Sequence, residues 1–77
     1  MEAEKRVVGV KQSRKAIREG RARRVFLAND ADPAITGPIR AECDAAGILV
    51  EDGSTMAQLG RACGIAVGAS VAAELKS

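Results

Sequence analysis

A cationic helical segment near the start of the chain holds the residues best suited to binding chemistry. Its sequence is Gly9-Val10-Lys11-Gln12-Ser13-Arg14-Lys15-Ala16-Ile17-Arg18. At about 100° per residue, four cations share one face of this helix, and they are Lys11, Arg14, Lys15 and Arg18. Lysine can donate to guanine O6 or N7, and the Gln12 amide can both donate to and accept from a base edge. The pattern favours docking into a nucleic-acid groove, and a merely solvated helix face is the alternative.

Catalytic constellations are nearly absent from the sequence. There is no histidine, so the usual nucleophile–base pairs lose their commonest base. Gly60, Gly64 and Gly68 recur every four residues, but no GxGxxG or P-loop pattern follows a strand. Four carboxylates fall in predicted turns, where they more often cap helices or stay solvated: Asp30, Asp32, Glu51 and Asp52. We therefore expect a protein that is not an enzyme and that uses no cofactor.

The cysteines and the N-terminus indicate the expected compartment. Cys43 and Cys63 do not form a CxxC pair and lie among apolar neighbours, which predicts buried free thiols and no metal site. Residues 1–6 are mostly charged with no apolar stretch behind them, unlike a signal peptide. No apolar run approaches the roughly 18 residues of a membrane span. We expect a cytoplasmic protein without a membrane partner.

Charge is distributed unevenly along the chain. Residues 1–24 hold nine Lys or Arg and three Glu, whereas residues 25–77 hold three Lys or Arg and seven Asp or Glu. The first part therefore carries +6 and the second −4. A basic region of this kind is an electrostatic footprint for a polyanion, and the acidic remainder would help to orient the protein on it.

Strand and helix patterns alternate along 77 residues, which predicts one domain, 1–77, of the α/β class. Helices are predicted over 11–19, from about 37 to Gly47, and over 55–63, with Gly37-Pro38 leaving only a short turn over 33–36. Strands are predicted at 7–8, at 24–28, at 48–50 and in the second part of 65–75. The Thr55-Met56-Ala57-Gln58 sequence fits a helix capping box. Helices on both faces of such a sheet make a three-layer αβα sandwich.

The scarcity of aromatic residues narrows the class of nucleic acid. Sheet modules that read single strands stack bases on aromatic side chains, and Phe26 is the one aromatic residue of this chain. A regular RNA duplex is also hard to read, because its major groove is deep and narrow. A kink or internal loop opens that groove. The sequence therefore favours structured, irregular RNA.

Three segments resemble the small kink-turn-binding proteins related to archaeal ribosomal protein L7Ae, and most of all their short bacterial, YbxF-like branch. They are Gly9-Val10-Lys11-Gln12-Ser13-Arg14-Lys15, then Asp30-Ala31-Asp32-Pro33, then Leu59-Gly60-Arg61-Ala62-Cys63-Gly64-Ile65-Ala66-Val67-Gly68-Ala69. Each segment alone is a weak indication of the family, but the three together in this order and spacing are specific to it. The resemblance covers nearly the whole chain. It implies a mixed four-stranded sheet.

The resemblance also implies a binding site. The RNA would be a kink-turn, in which tandem sheared G·A pairs flank a bent three-nucleotide bulge, and the start of the first helix would enter the widened major groove. Lys11 and Gln12 stand where most relatives have Asn and Glu, which removes a carboxylate acceptor and adds a cation. The implied RNA-binding residues are Gly9, Val10, Lys11, Gln12, Arg14, Lys15, Ile65, Ala66, Val67 and Gly68. The expected form is a monomer, and the expected setting is the ribosome or a riboswitch.

Two other interpretations of the loop over 65–68 stay open at this point. Its apolar residues could be buried in an ordinary strand. Alternatively, residues 65–69 could be the contact patch of a protein-interaction module built on the same fold. The RNA hypothesis predicts that Lys11→Ala or Lys15→Ala weakens RNA binding by about 1–3 kcal/mol each. The protein-interaction hypothesis predicts that these changes are silent and that Val67→Asp is not.

Overall fold

The computed structural model describes residues 6–76, in which strands and helices alternate as the sequence predicts. The charged N-terminal segment, which is predicted not to be a signal peptide, lies outside the described residues up to residue 5. The elements, in chain order, are β1 (Arg6–Val8), α1 (Val10–Arg18), β2 (Ala22–Leu27), α2 (Pro33–Ala46), β3 (Leu49–Glu51), α3 (Met56–Ala62) and β4 (Val71–Leu75). The α/β class is confirmed.

The four strands form one mixed sheet in the order β1-β4-β2-β3. Strand β4 runs antiparallel to both β1 and β2, whereas β2 and β3 are parallel. All five residues of β4 are buried, as expected for a central strand covered on both faces. Along β4, Val71, Ala73 and Leu75 alternate with Ala72 and Glu74. The strand predicted in the second part of 65–75 is therefore confirmed.

Helices cover both faces of the sheet, which confirms the three-layer αβα sandwich. Helices α1 and α2 pack on one face, and α3 packs on the other. The core beneath α1 and α2 consists of Ala16, Ile17, Ala22, Val25, Leu27, Ile39, Cys43, Val71, Ala73 and Leu75. The smaller core beneath α3 consists of Ala28, Leu59, Ala69 and Ala72, with Phe26 and Met56 packed against it. Most side chains of both cores are small or aliphatic, and alanine occurs in each of them.

Helix α2 differs from the prediction. The Gly37-Pro38 pair predicts a break with a separate turn over 33–36, and this prediction is wrong, because α2 is continuous over Pro33–Ala46. Proline removes one N–H donor, and its ring normally crowds the Cβ of the preceding residue. Gly37 has no Cβ to be crowded. The fully buried Ile39 then holds the following turn against the sheet, so packing outweighs the lost hydrogen bond.

Two burial predictions are also wrong. Residues 48–50 predict a buried strand, but β3 lies at the edge of the sheet, and Leu49 is 57% exposed. Both cysteines are predicted to be buried, but only Cys43 is, and Cys63 is half-buried at the end of α3. Burial raises the pKa of the Cys43 thiol. In both cases an apolar residue type gives no information about whether a second layer covers it.

Candidate nucleic-acid interface

The start of α1 and the loop over 65–68 lie at the same end of the sheet. Antiparallel pairing of β1 with β4 sets Val8 opposite Ala72, so the end of β1 and the start of β4 are adjacent. The Gly9 N–H donates to the Val71 carbonyl oxygen with an N···O distance of 2.9 Å. The residues that follow β1 and those that precede β4 are thereby held side by side.

Gly9 makes this close turn from strand to helix possible. Its φ of 107° lies in a region that favours glycine, and it forms the N-cap of α1 without a side-chain cap. The first turn of α1 contains no acidic residue. Its backbone N–H groups are therefore not neutralised by a side chain of that turn, and they favour an anion.

Helix α1 is fixed by its inward face. Ser13, Ala16 and Ile17 are buried against the sheet. Lys11, Gln12 and Lys15 are exposed on the outward face. Val10 is half-buried and packs against the main core. A 3.6-residue period separates the two sets, in agreement with the prediction that Lys11 and Lys15 share one face of this helix.

The four cations predicted to share one face are divided by an ion pair with α2. A guanidinium nitrogen of Arg14 lies 2.6 Å from a Glu42 carboxylate oxygen, and Arg18 lies 3.3 Å from the same oxygen. The hydrogen bond from Arg14 lowers the pKa of Glu42, and the same contact raises the pKa of Arg14. The Arg14 side chain is only 34% exposed. In contrast, Lys11 and Lys15 form no ion pair with any carboxylate of residues 6–76.

The loop over 65–68 is open to solvent. Val67 is 71% exposed and Ile65 is 36% exposed, and both Ala66 and Gly68 are exposed as well. Strand β4 begins only at Val71. The alternative that this segment is buried in a strand is therefore wrong. Its apolar side chains are exposed at the end of the sheet where α1 begins.

Glycines let this loop lie directly on α3. A Cβ at Gly60 would overlap the Val67 carbonyl oxygen and would lie 3.0 Å from the Gly68 Cα. A Cβ at Gly68 would lie 3.2 Å from the Cβ of Met56. The Ala69 N–H also donates to the Met56 carbonyl oxygen at 3.1 Å. Close packing thus accounts for Gly60 and Gly68, whereas a Cβ at Gly64 would meet nothing within 4 Å, and its φ of 78° favours glycine instead.

Helix α3, which supports the loop, begins with two caps. The predicted capping box is confirmed: the Thr55 hydroxyl accepts from the Gln58 N–H at 3.1 Å, and the Gln58 side chain accepts from the Thr55 N–H at 2.9 Å. A carboxylate oxygen of Asp30 accepts from the Met56 N–H at 2.8 Å. This second cap joins the loop after β2 to the start of α3, and no local sequence signal could have revealed it.

Residues 6–76 contain no cluster of three or more His, Cys, Asp or Glu side chains that could hold a metal ion. None of the three helices described has the length and apolar character needed to cross a membrane.

Comparison with known proteins supplies the family. Residues 1–77 match the model of the "Ribosomal protein L7Ae/L30e/S12e/Gadd45 family". The chain is 42% identical over 71 residues to an RNA-binding protein of Caldanaerobacter subterraneus subsp. tengcongensis, covering 92% of this chain and 87% of the relative. It is 40% identical over 76 residues to the RNA-binding protein YbxF of Geobacillus stearothermophilus, covering 99% of this chain and 93% of the relative.

Solved structures show the same fold. The 15.5kD RNA binding protein of Giardia lamblia superposes with a TM-score of 0.87 at 30% identity, over 94% of this chain and 61% of that protein. A protein of unknown function from Bacillus halodurans C superposes with a TM-score of 0.85 at 25% identity, over 94% of this chain and 72% of that protein. Together with the match over residues 1–77, these likenesses establish that the chain belongs to the Ribosomal protein L7Ae/L30e/S12e/Gadd45 family.

Proposed function

We propose that this chain binds RNA, and that its specific target is a kink-turn. One observation carries the proposal: the exposed cations at the start of α1 and the exposed apolar loop lie at the same end of the sheet. The names of several relatives, which are RNA-binding proteins, support the coarser statement. They also agree with the expectation that the chain is not an enzyme.

The start of α1 would supply the polar half of the interface. Lys11 and Lys15 would donate to guanine O6 or N7 at the sheared G·A pairs, and Gln12 would contact a neighbouring base edge. Gly9 and Val10 would let backbone approach the RNA, while the N-terminal amides of the helix favour a phosphate. A widened major groove is needed for this contact, since regular A-form RNA excludes a helix.

The loop would supply the apolar half of the interface. Ile65, Ala66, Val67 and Gly68 would lie against unstacked bases of the bulge. Burial of an exposed valine side chain is worth roughly 1.5–3 kcal/mol when it is complete. Since the loop is already seated on α3, little ordering cost is expected on binding.

Binding would select the bent RNA conformer. A kink-turn that samples extended and bent forms is shifted toward the bent form by the difference in affinity of the protein for the two. Phosphate contacts would make the affinity fall as the salt concentration rises. We propose that the chain does this as a cytoplasmic monomer, in association with the ribosome or a riboswitch.

A gel shift with two RNAs tests the proposal. One RNA contains a standard kink-turn, and the other is a copy in which Watson–Crick pairs replace the G·A pairs. We expect the kink-turn to be bound at least tenfold more tightly in about 0.1 M salt, where non-specific attraction is weakened. Equal binding to both RNAs would leave only charge attraction and would refute kink-turn recognition.

A protein-interaction module remains a second candidate, because Val67 exposes 71% of its surface beside other apolar residues. Exposed apolar patches often mark protein contacts. If this candidate is correct, replacing Lys11 or Lys15 by alanine has no effect on partner binding, whereas Val67→Asp abolishes it. The same three variants, assayed on RNA, separate the two functions.

A further inference from the structure

Glu42 on α2 is the residue that divides the cations of α1. Its carboxylate accepts three hydrogen bonds: from Arg14 Nη2 at 2.6 Å, from Arg14 Nε at 3.4 Å and from Arg18 Nη2 at 3.3 Å. Two of the four cations that the sequence sets on one helical face are thus turned toward α2. The two nearest the start of the helix and outside this contact are Lys11 and Lys15.

We propose that Glu42 is a positioning residue for RNA selectivity, acting through Arg14 and Arg18. This inference rests on the proposed kink-turn function. By pairing with both guanidiniums, of which Arg14 is 34% and Arg18 64% exposed, Glu42 competes with phosphate for these two cations. The protein then presents two lysines and an amide where bases are read, and less cationic surface where any phosphate backbone would suffice.

The physical reason is that phosphate contacts do not depend on sequence. Each cation that reaches a phosphate increases the affinity for every RNA. Each such contact also makes the slope of log K against the logarithm of the salt concentration steeper by about 1. Contacts to base edges favour only the RNA that exposes them. An ion pair that competes with phosphate for two arginines therefore lowers affinity for plain duplex more than affinity for the kink-turn, whose bound geometry is fixed by α1 and the loop.

The test compares Glu42→Ala with Glu19→Ala. Both variants lose one negative charge and one carboxylate partner of an arginine, since Glu19 pairs with Arg21 at 3.1 Å beyond the end of α1. Affinities for the kink-turn and for its Watson–Crick copy are measured between about 50 and 200 mM salt. We expect Glu42→Ala to bind the copy about tenfold more tightly at the lower salt, with a salt slope steeper by about 1–2, and to bind the kink-turn within about twofold of the unaltered protein.

A third variant separates charge release from damage to the fold. In Glu42→Ala/Arg14→Gln/Arg18→Gln the released cations are gone, so the preference for the kink-turn should return to that of the unaltered protein. Loss of helix packing would not be reversed in this way. A Glu42→Ala preference equal to that of Glu19→Ala, or a preference that the triple variant does not restore, overturns the inference. Equal binding of the unaltered protein to the two RNAs would instead contradict the kink-turn function itself.

Discussion

The two halves of the proposed interface are built by different means. The start of α1 belongs to a nine-residue helix whose inner face is buried in the core and whose outer face carries Lys11, Gln12 and Lys15. The loop over 65–68 has exposed side chains and is held by its backbone, since Val67 lies on Gly60 of α3 and Gly68 lies against Met56 of the same helix. Side chains give the first half its chemistry, and close backbone approach gives the second half its shape.

This difference determines which substitutions should matter in each half. In α1 the scaffold and the contacting residues are separate, so an outer side chain can be removed with little effect on folding. In the loop half the supporting residue is a glycine inside a neighbouring helix, and any side chain there moves the loop. Each substitution on the outer face of α1 should remove one contact with RNA. One substitution at the glycine that supports the loop should instead displace all the apolar residues of the loop.

The sharpest test of this comparison is Gly60→Ala. Alanine suits a helix better than glycine by about 1 kcal/mol, but its Cβ would overlap the Val67 carbonyl oxygen. Because that oxygen belongs to backbone, we expect the overlap to outweigh propensity and to lower the free energy of unfolding by about 1–3 kcal/mol. RNA affinity should fall by at least as much as it does on loss of one lysine contact. Chemical denaturation and gel shifts measure the two effects.

Gly53→Ala is the matched control for that change. A Cβ at Gly53 meets nothing within 4 Å, and its φ is not in the left-handed region. We expect stability and RNA binding to stay close to those of the unaltered protein. If Gly60→Ala behaves like Gly53→Ala, the loop does not depend on the close approach to α3.

The helix half is tested by Lys11→Ala and Lys15→Ala. Each should weaken kink-turn binding by about 1–3 kcal/mol with little change in the melting temperature, because both side chains are exposed. Lys76→Ala is the control, since Lys76 follows β4 at the opposite end of the sheet and its N–H donates to the Arg21 carbonyl oxygen. If Lys76→Ala loses as much RNA affinity as Lys11→Ala, the charge attraction is spread over the whole protein surface and is not concentrated at the start of α1.

The apolar surface of the loop is tested by Val67→Asp. The change puts a negative charge where RNA bases and phosphates would lie, and we expect affinity to fall by about 1 kcal/mol or more. Since Val67 is 71% exposed, the free energy of unfolding should change by less than about 0.5 kcal/mol. Val67→Thr keeps the shape without the charge and should have a smaller effect. Unaltered RNA binding by Val67→Asp would remove the loop from the interface.

The smallest expected effect concerns the stability of the fold at acid pH, and it arises in the α1 half of the interface. The pKa of Glu42 is lowered in the folded protein by its hydrogen bond from Arg14, so the ion pair stabilises α1 against α2 above the ordinary carboxyl value of 4.5. That contribution is lost as the pH falls through the lowered pKa. Glu42→Gln should therefore reduce the melting temperature at pH 7 and have less effect at the acid end of the range. A difference that is constant from pH 7 to pH 2 would contradict this account.

The sequence alone determined the class of the fold and the orientation of the first helix. Periodicity separates Ser13 and Ile17 from Lys11 and Lys15, because a helix repeats every 3.6 residues. The caps at Asp32 and Thr55 are local hydrogen bonds, so they could be predicted from short motifs, and both are found. The resemblance of three segments to the L7Ae family also predicted the mixed sheet that the structure contains.

Tertiary structure alone decided how residues distant in sequence act on one another. The pairing of Glu42 with Arg14 joins residues 28 positions apart, and the cap from Asp30 to Met56 spans 26. The exposure of Leu49 depends on β3 lying at an edge, and the continuity of α2 through Pro38 depends on packing of the turns that follow. None of these has a local signal, because each arises from a layer or a neighbour that comes into contact only when the chain is folded.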